Sequence, residues 1–228
     1  MLAGPYYCRM RINADFSKPV LSIPSEEDWL HSPEYGVDRR MLDRIGDEVA
    51  RATSVVRYAP GSAFPVHEHA KGEEFLVLEG VFSDESGDFP AGTYVRNPPG
   101  SRHAPRSAGG CRILVKLRQF AACDVARVVI DTGDEAAWSR DDLSASLPLH
   151  AFGTEKVAMR RLAPGGSLEF DVGTGGLELF VVSGALDYAG KLLGAESWLR
   201  LPTGTHAGIS TADDTLFWLK TGHLPADL

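Results

Sequence analysis

Gly61-Ser-Ala-Phe-Pro-Val-His67-Glu-His69-Ala-Lys-Gly72-Glu73-Glu-Phe-Leu-Val-Leu-Glu-Gly80 decides the reading of this chain, together with a later stretch, Gly92-Thr-Tyr-Val-Arg-Asn-Pro98-Pro-Gly100-Ser-Arg-His103. His67 and His69 are two apart, so a strand would put both on one face and Glu68 on the other. Glu73 follows a turn that contains Gly72 and can lie on the neighbouring strand. Phe75 and Val77 share its parity and are expected inward. His103 opens a later strand beyond the Pro98-Pro-Gly100 corner. Three neutral imidazoles and one carboxylate suit zinc, iron, nickel or copper. Four protein ligands can close a tetrahedral zinc site, whereas a six-coordinate ion keeps two positions for substrate or oxygen. A lone His-x-His is commonly an ordinary surface or core pair. Here that reading must also explain Glu73, His103 and the ordered Gly61, Gly80, Gly92, Pro98 and Gly100.

The surrounding pattern is that of short strands broken by Gly and Pro. Ala52-Thr-Ser-Val-Val-Arg-Tyr ends at Pro60-Gly61. Phe64 to His69 is a short run, and Glu74-Phe-Leu-Val-Leu closes at Gly80. Asp84-Glu-Ser-Gly87 is a turn, Thr93-Tyr-Val-Arg is a strand, and Ile113-Leu-Val-Lys-Leu is another. Such spacing signals a sandwich or barrel. Upstream, Ser25-Glu-Glu-Asp28 before Trp29 has the form of a capping box. The charge-rich segment from Val37 to Gly46 is expected to be a solvated strand or short helix.

A repeat sets the architecture. Shifted by 104 residues, Arg57-Tyr-Ala-Pro-Gly61 falls on Arg161-Leu-Ala-Pro-Gly165. Gly72-Glu-Glu-Phe-Leu-Val-Leu-Glu-Gly80 falls on Gly176-Leu-Glu-Leu-Phe-Val-Val-Ser-Gly184, and Tyr94-Val-Arg-Asn-Pro98 falls on Trp198-Leu-Arg-Leu-Pro202. Lys116 falls on Lys220. Gly and Pro at one offset mark repeated turns. The chain is therefore expected to be all-β, with two copies of one fold joined near residues 118–125. Residues 1–120 form the metal-binding barrel with an N-terminal extension, and residues 121–228 a degenerate one. In the second copy His67 becomes Asp171, His69 becomes Gly173, Glu73 becomes Leu177 and His103 becomes Ala207. His206 is one position out of place and finds no partner ligands. His31, His150 and His223 are expected at the surface.

The 228 residues carry a net charge of −8, with no basic stripe, so nucleic acid or an anionic membrane lacks an electrostatic basis for binding. No apolar run reaches the length that spans a bilayer, and residues 1–16 lack the form of a signal peptide. Three cysteines, Cys8, Cys111 and Cys123, form no Cys-x-x-Cys pair. They are expected as reduced thiols in the cytoplasm, Cys111 in a core strand.

Gly61(x5)His67-x-His69(x3)Glu73(x6)Gly80 resembles the first cupin motif at every position. Gly92(x5)Pro98-x-Gly100(x2)His103 resembles the second, with Ser107 where that motif ends in Asn. The resemblance implies two tandem jelly-roll barrels, a bicupin, with His67, His69, Glu73 and His103 holding one divalent metal ion. Zinc is the first choice, and Fe(II) or another transition metal the alternative. More narrowly, residues 35–120 are similar to the cupin domain of ChrR-type anti-sigma factors. That family implies a zinc-carrying barrel in transcription regulation under oxidative stress. Its sigma-binding His-x3-Cys-x2-Cys motif has no counterpart in these residues.

Two functions follow. One is a sensor or regulator of oxidants or small ligands that reports to a protein partner, possible homodimers included. The other is an Fe(II)-dependent cupin dioxygenase acting on a small diketone or related carbonyl compound. For that second function Tyr94, Arg96 and Arg102 are the candidate catalytic residues, with Phe75 and Val77 lining the pocket.

Overall fold

A computed structural model describes residues 10–225; Cys8 and most of the segment weighed as a signal peptide lie outside them. The main sheet of the first half runs Arg11–Ile12, Val37–Ile45, Arg51–Tyr58, Cys111–Leu117, Glu73–Asp84, Thr93–Asn97 and Val128–Asp131 in spatial order. That of the second half runs Ser139–Arg140, Ser144–Phe152, Glu155–Leu162, Thr215–Thr221, Leu177–Ser183, Trp198–Leu201 and Val20–Ser22. Both are antiparallel throughout, and smaller sheets close each barrel. The fold is two tandem jelly rolls.

The last strand of each main sheet comes from the other half. Val20–Ser22 pairs with Trp198–Leu201, and Val128–Asp131 pairs with Thr93–Asn97. Each arm thereby covers an edge that would otherwise expose unpaired backbone groups.

The repeat extends to the irregularities. Register slips pass over Leu42, Leu78, Leu149 and Val182. A bulge re-aims a side chain, and all four slipped residues join one apolar cluster between the barrels. That cluster takes Val55, Leu76, Tyr94 and Leu114 from one half and Met159, Phe180, Trp198 and Trp218 from the other. Those four pairs stand at the 104-residue offset. The barrels pack sheet against sheet. Separate clusters fill each barrel, around Phe75, Val77 and Ile113 in the first and Leu177, Leu179 and Phe217 in the second.

Gly80 does not end its strand. The strand runs on to Asp84, bending where Gly80 takes a φ of 71°. A Cβ there would sit 2.1 Å from the Gly110 carbonyl oxygen, and at Gly184 it would sit 2.4 Å from that of Asp214.

Ser25 and Asp28 form the expected capping box, on the 3-10 turn Glu26–Asp28. The segment from Val37 is a strand but not a solvated one. Arg40, Asp43 and Arg44 are each at most 3% exposed. Arg40 pairs with Glu196, and Asp43 lies 3.5 Å from Arg200, both of the second barrel. Cys111 is buried, as expected of a core strand, and Cys123 is exposed.

Candidate metal centre

Two short strands, His67–His69 and Ser101–His103, pair antiparallel, with His103 opposite His67. Period-2 alternation turns His67, His69 and His103 to one side, and their ligating nitrogens lie within 4.8 Å of one another. His69 Nε2 and His103 Nε2 are 2.9 Å apart. Glu73 Oε2 lies 3.5 Å from each of those two nitrogens. Glu73 opens the neighbouring Glu73–Asp84 strand, past the turn at Gly72.

The imidazoles are oriented from behind. The Pro65 carbonyl can only accept, so His67 donates from Nδ1, at 2.9 Å. His103 Nδ1 points at Asp84 Oδ2, 3.1 Å away and 4% exposed with its residue. Both rings thus turn Nε2 towards the centre, the arrangement in which an outer carboxylate or carbonyl fixes a ligand's tautomer. Asn97 Nδ2 donates to Glu73 Oε2 at 3.0 Å. Burial lowers the His69 pKa, against the pull of Glu73, which favours the neutral ring a cation needs. The donor set, three imidazoles, two of them oriented by other groups, and one buried carboxylate, fits a divalent transition metal.

Sequence reasoning passed over Asp84 and Asn97. Asp84 was absorbed into a turn, although it ends the strand that carries Glu73. Asn97 shares the strand parity of Val95, which faces the barrel interior; that parity was the available signal.

A cavity of about 330 Å3 adjoins the triad. His67, His69 and Glu73 stand on its wall beside Tyr58, Phe64 and Val115. Phe75 and Val77 face the barrel interior but are not part of that wall.

The candidate catalytic residues lie elsewhere. Tyr94 and Arg96 have the opposite parity to Val95 and point between the barrels. Tyr94 Oη donates to Glu74 at 2.6 Å. Arg96 reaches Glu74, Glu155 and Asp124 at 2.7, 2.8 and 2.6 Å. Arg102 is on the outer face, 69% exposed and opposite Glu68. None of the three meets the triad.

His150 and His223 are likewise not at the surface. The His223 ring is 1% exposed and lies 3.2 Å from Glu178, and His150 lies 2.9 Å from Asp124. His31 is exposed, on Asp38. Asp124, His150 and Glu155 form a second compact trio. Arg96 bonds both of its carboxylates and Lys220 meets Glu155 at 3.0 Å, so cationic side chains already neutralise it. In the second barrel Leu177 and Ala207, at two ligand positions, are packed into the apolar core. His206 is exposed, beside Asp171 and Glu169. Ser107, at the position of the motif's Asn, is buried and donates to the Val81 carbonyl.

Residues 17–121 match the family model of the ChrR cupin-like domain. No curated protein matches the chain in sequence. Among solved structures, a candidate glyoxylate-induced protein from Pseudomonas aeruginosa is 14% identical with a TM-score of 0.72, over 96% of this chain and 92% of that one. A candidate dioxygenase from Nostoc punctiforme is 14% identical with a TM-score of 0.68, over 100% and 87%. The bacterial pirin YhhW from Escherichia coli, in complex with nickel(II), is 14% identical with a TM-score of 0.66, over 91% and 99%. At these identities the likeness is one of fold.

Proposed function

We propose that this chain, whose residues 17–121 match the ChrR cupin-like domain, holds one divalent metal ion on His67, His69, Glu73 and His103 and uses it to meet a small molecule. The observation that carries this is that His67, His69 and Glu73 stand on the wall of a cavity of about 330 Å3, large enough for a small ligand, with His103 grouped beside them. The match to the ChrR cupin-like domain supports a regulatory role; zinc as the metal and the cytoplasm as the location complete the proposal. Bound metal would supply a Lewis-acidic centre, open to a ligand or oxidant where its coordination exceeds the four protein ligands. The chain's own residues would set the response. Asp84 and Pro65 hold two imidazoles in place, and Glu73 shares its carboxylate between the centre and Asn97. Displacing any of them would shift the strands His67–His69 and Ser101–His103, which form a two-stranded sheet of their own. An acidic protein of this kind suits a protein partner better than nucleic acid.

A second reading, an Fe(II)-dependent dioxygenase for a small carbonyl compound, is favoured by the cavity's apolar wall and supported by the candidate dioxygenase of like fold. There Val56, Phe64, Ile113 and Val115 would exclude water and hold the substrate against the metal. The two readings separate on His103→Ala. A regulator loses metal and alters partner binding or barrel stability with no turnover to lose. An oxygenase loses substrate-dependent oxygen uptake while the second barrel stays folded.

A further inference from the structure

His67, His69 and Glu73 stand on the wall of the cavity, and the rungs of the main sheet measure what lies beyond them. Glu73 pairs with Leu117, Leu117 with Ala52, and Ala52 with Arg44. Arg44 is thus three strand spacings from Glu73, about 14 Å between backbones. Both residues stand on the wall of the same cavity. Leu117 stands on that rung, and Val115, Ile113 and Val56 continue the wall along the same strands, with the Ser54 hydroxyl the one hydrogen-bonding side chain among them.

Arg44 is 3% exposed. Its Nε donates to the Gly46 carbonyl and its Nη2 to that of Asp47, so backbone oxygens rather than a carboxylate hold it. Arg118 follows Leu117 and its N–H donates to the Gly72 carbonyl at 3.0 Å, so its backbone lies one strand spacing from Glu73 and two from Arg44, on the same cavity wall; it takes a φ of 60°. Among the described residues its side chain meets no carboxylate. The carboxylates nearby are largely spent. Glu48 pairs with Arg39 and Glu68 with Arg102, leaving Glu34 at the rim. A guanidinium cannot lose its proton, so a buried one facing a cavity favours an anion there. A carboxylate is the anion that paired guanidinium N–H groups match; Arg118 offers its whole fork, and Arg44 the Nη1 edge that the two backbone carbonyls leave open.

We infer that the cavity takes a small organic acid, its carboxylate held by Arg44 and Arg118 and its apolar body laid along Val56, Ile113, Val115 and Leu117. Its far end, carrying an oxygen, reaches the metal. That last contact rests on the proposed metal site; the grip on the acid does not. Ligand length follows from the sheet. The arginine side chains span part of the 14 Å, leaving room for a single-ring or short branched acid rather than a peptide.

The test is calorimetric titration of the full chain, zinc-loaded and metal-free, with 4-hydroxybenzoate and with its uncharged analogue 4-hydroxybenzamide. Zinc content is determined separately. The acid is expected to bind at least about tenfold tighter than the amide in both forms. Arg118→Gln should remove most of that preference while zinc content stays unchanged, and Arg44→Gln should do the same where it folds. Equal binding of acid and amide, absence of binding by either, or a preference that survives Arg118→Gln overturns the inference. A chain that holds no zinc overturns the metal reading instead, and the acid preference of the metal-free protein still decides this one.

Discussion

Lys220 of the second barrel donates to Glu74 of the first, and the residues 104 positions earlier and later, Lys116 and Glu178, make the same pair in the opposite direction. All four are at most 1% exposed. Burial alone would raise the Glu74 carboxyl; Lys220, Arg96 and Lys116 outweigh it and hold that carboxyl well below its ordinary value. The two barrels are therefore joined by an apolar cluster with exchanged charges inside it.

Removing one partner leaves the other with fewer counter-charges: Glu74 keeps Arg96, and Lys220 keeps Glu155. Lys220→Met is expected to destabilise the protein by about 2–4 kcal/mol, and Glu74→Gln by a similar amount, below the cost of a fully uncompensated charge. The double variant should cost clearly less than the sum, since each single change unbalances the buried charge and the double restores the balance. Urea unfolding at neutral pH reads all three. A cost under about 1 kcal/mol for Lys220→Met would place this pair in water rather than between barrels.

His223 gives the interface a pH dependence. Burial pushes its pKa from 6.5 down to about 3, against the opposing pull of Glu178. Between those values the unfolded chain binds a proton that the folded chain does not, so stability falls as pH drops below 6.5 and is complete above it. The slope is at most about 1.4 kcal/mol per pH unit for one proton. Glu178, held well below its ordinary 4.5 because Lys116 and His223 overcome its burial, adds to the loss only at lower pH. Lys116 and Lys220 repel the protonated ring. Unfolding midpoints measured from pH 7.5 to 5 should fall more steeply in the wild type than in His223→Gln; parallel curves would contradict the assignment.

Most of the metal site was legible because it depends on short-range parity. His67 and His69 share a face at period 2, and the Gly and Pro positions place His103 opposite them. The interface was not legible. Arg40, Asp43, Tyr94, Arg96 and His223 look like solvated or pocket residues until partners from the other barrel are supplied, and Lys220 is 146 positions from Glu74. A local pattern carries no signal for such a pair. The same holds for Asp84, whose role comes from a ring 19 positions away.

Asp84→Asn keeps the side chain's shape but weakens its hold on His103. Metal affinity is expected to fall about 10–100-fold with the fold intact, the usual effect of losing such a partner. Competition against a chelator measures it, with circular dichroism as the control for folding. An unchanged affinity would leave Asp84 a packing residue only.

At Gly80 both the left-handed backbone and the approach of the Gly110 carbonyl exclude a side chain. Gly80→Ala is expected to cost at least about 2 kcal/mol, because a backbone oxygen cannot swing aside as a flexible side chain can. Thermal denaturation of the variant beside Gly100→Ala, where φ is a similar 85° but a Cβ meets nothing within 4 Å, separates contact from backbone strain.

Metal content per chain, on protein purified without oxygen and without added metal, tests the central claim most directly. The account predicts one equivalent in the wild type and none in a variant lacking His67, His69 and His103. Two equivalents would mean that the second barrel, with Leu177 and Ala207 at its ligand positions, binds metal after all. No metal in the wild type, or metal retained by the triple variant, would contradict the assignment of the site.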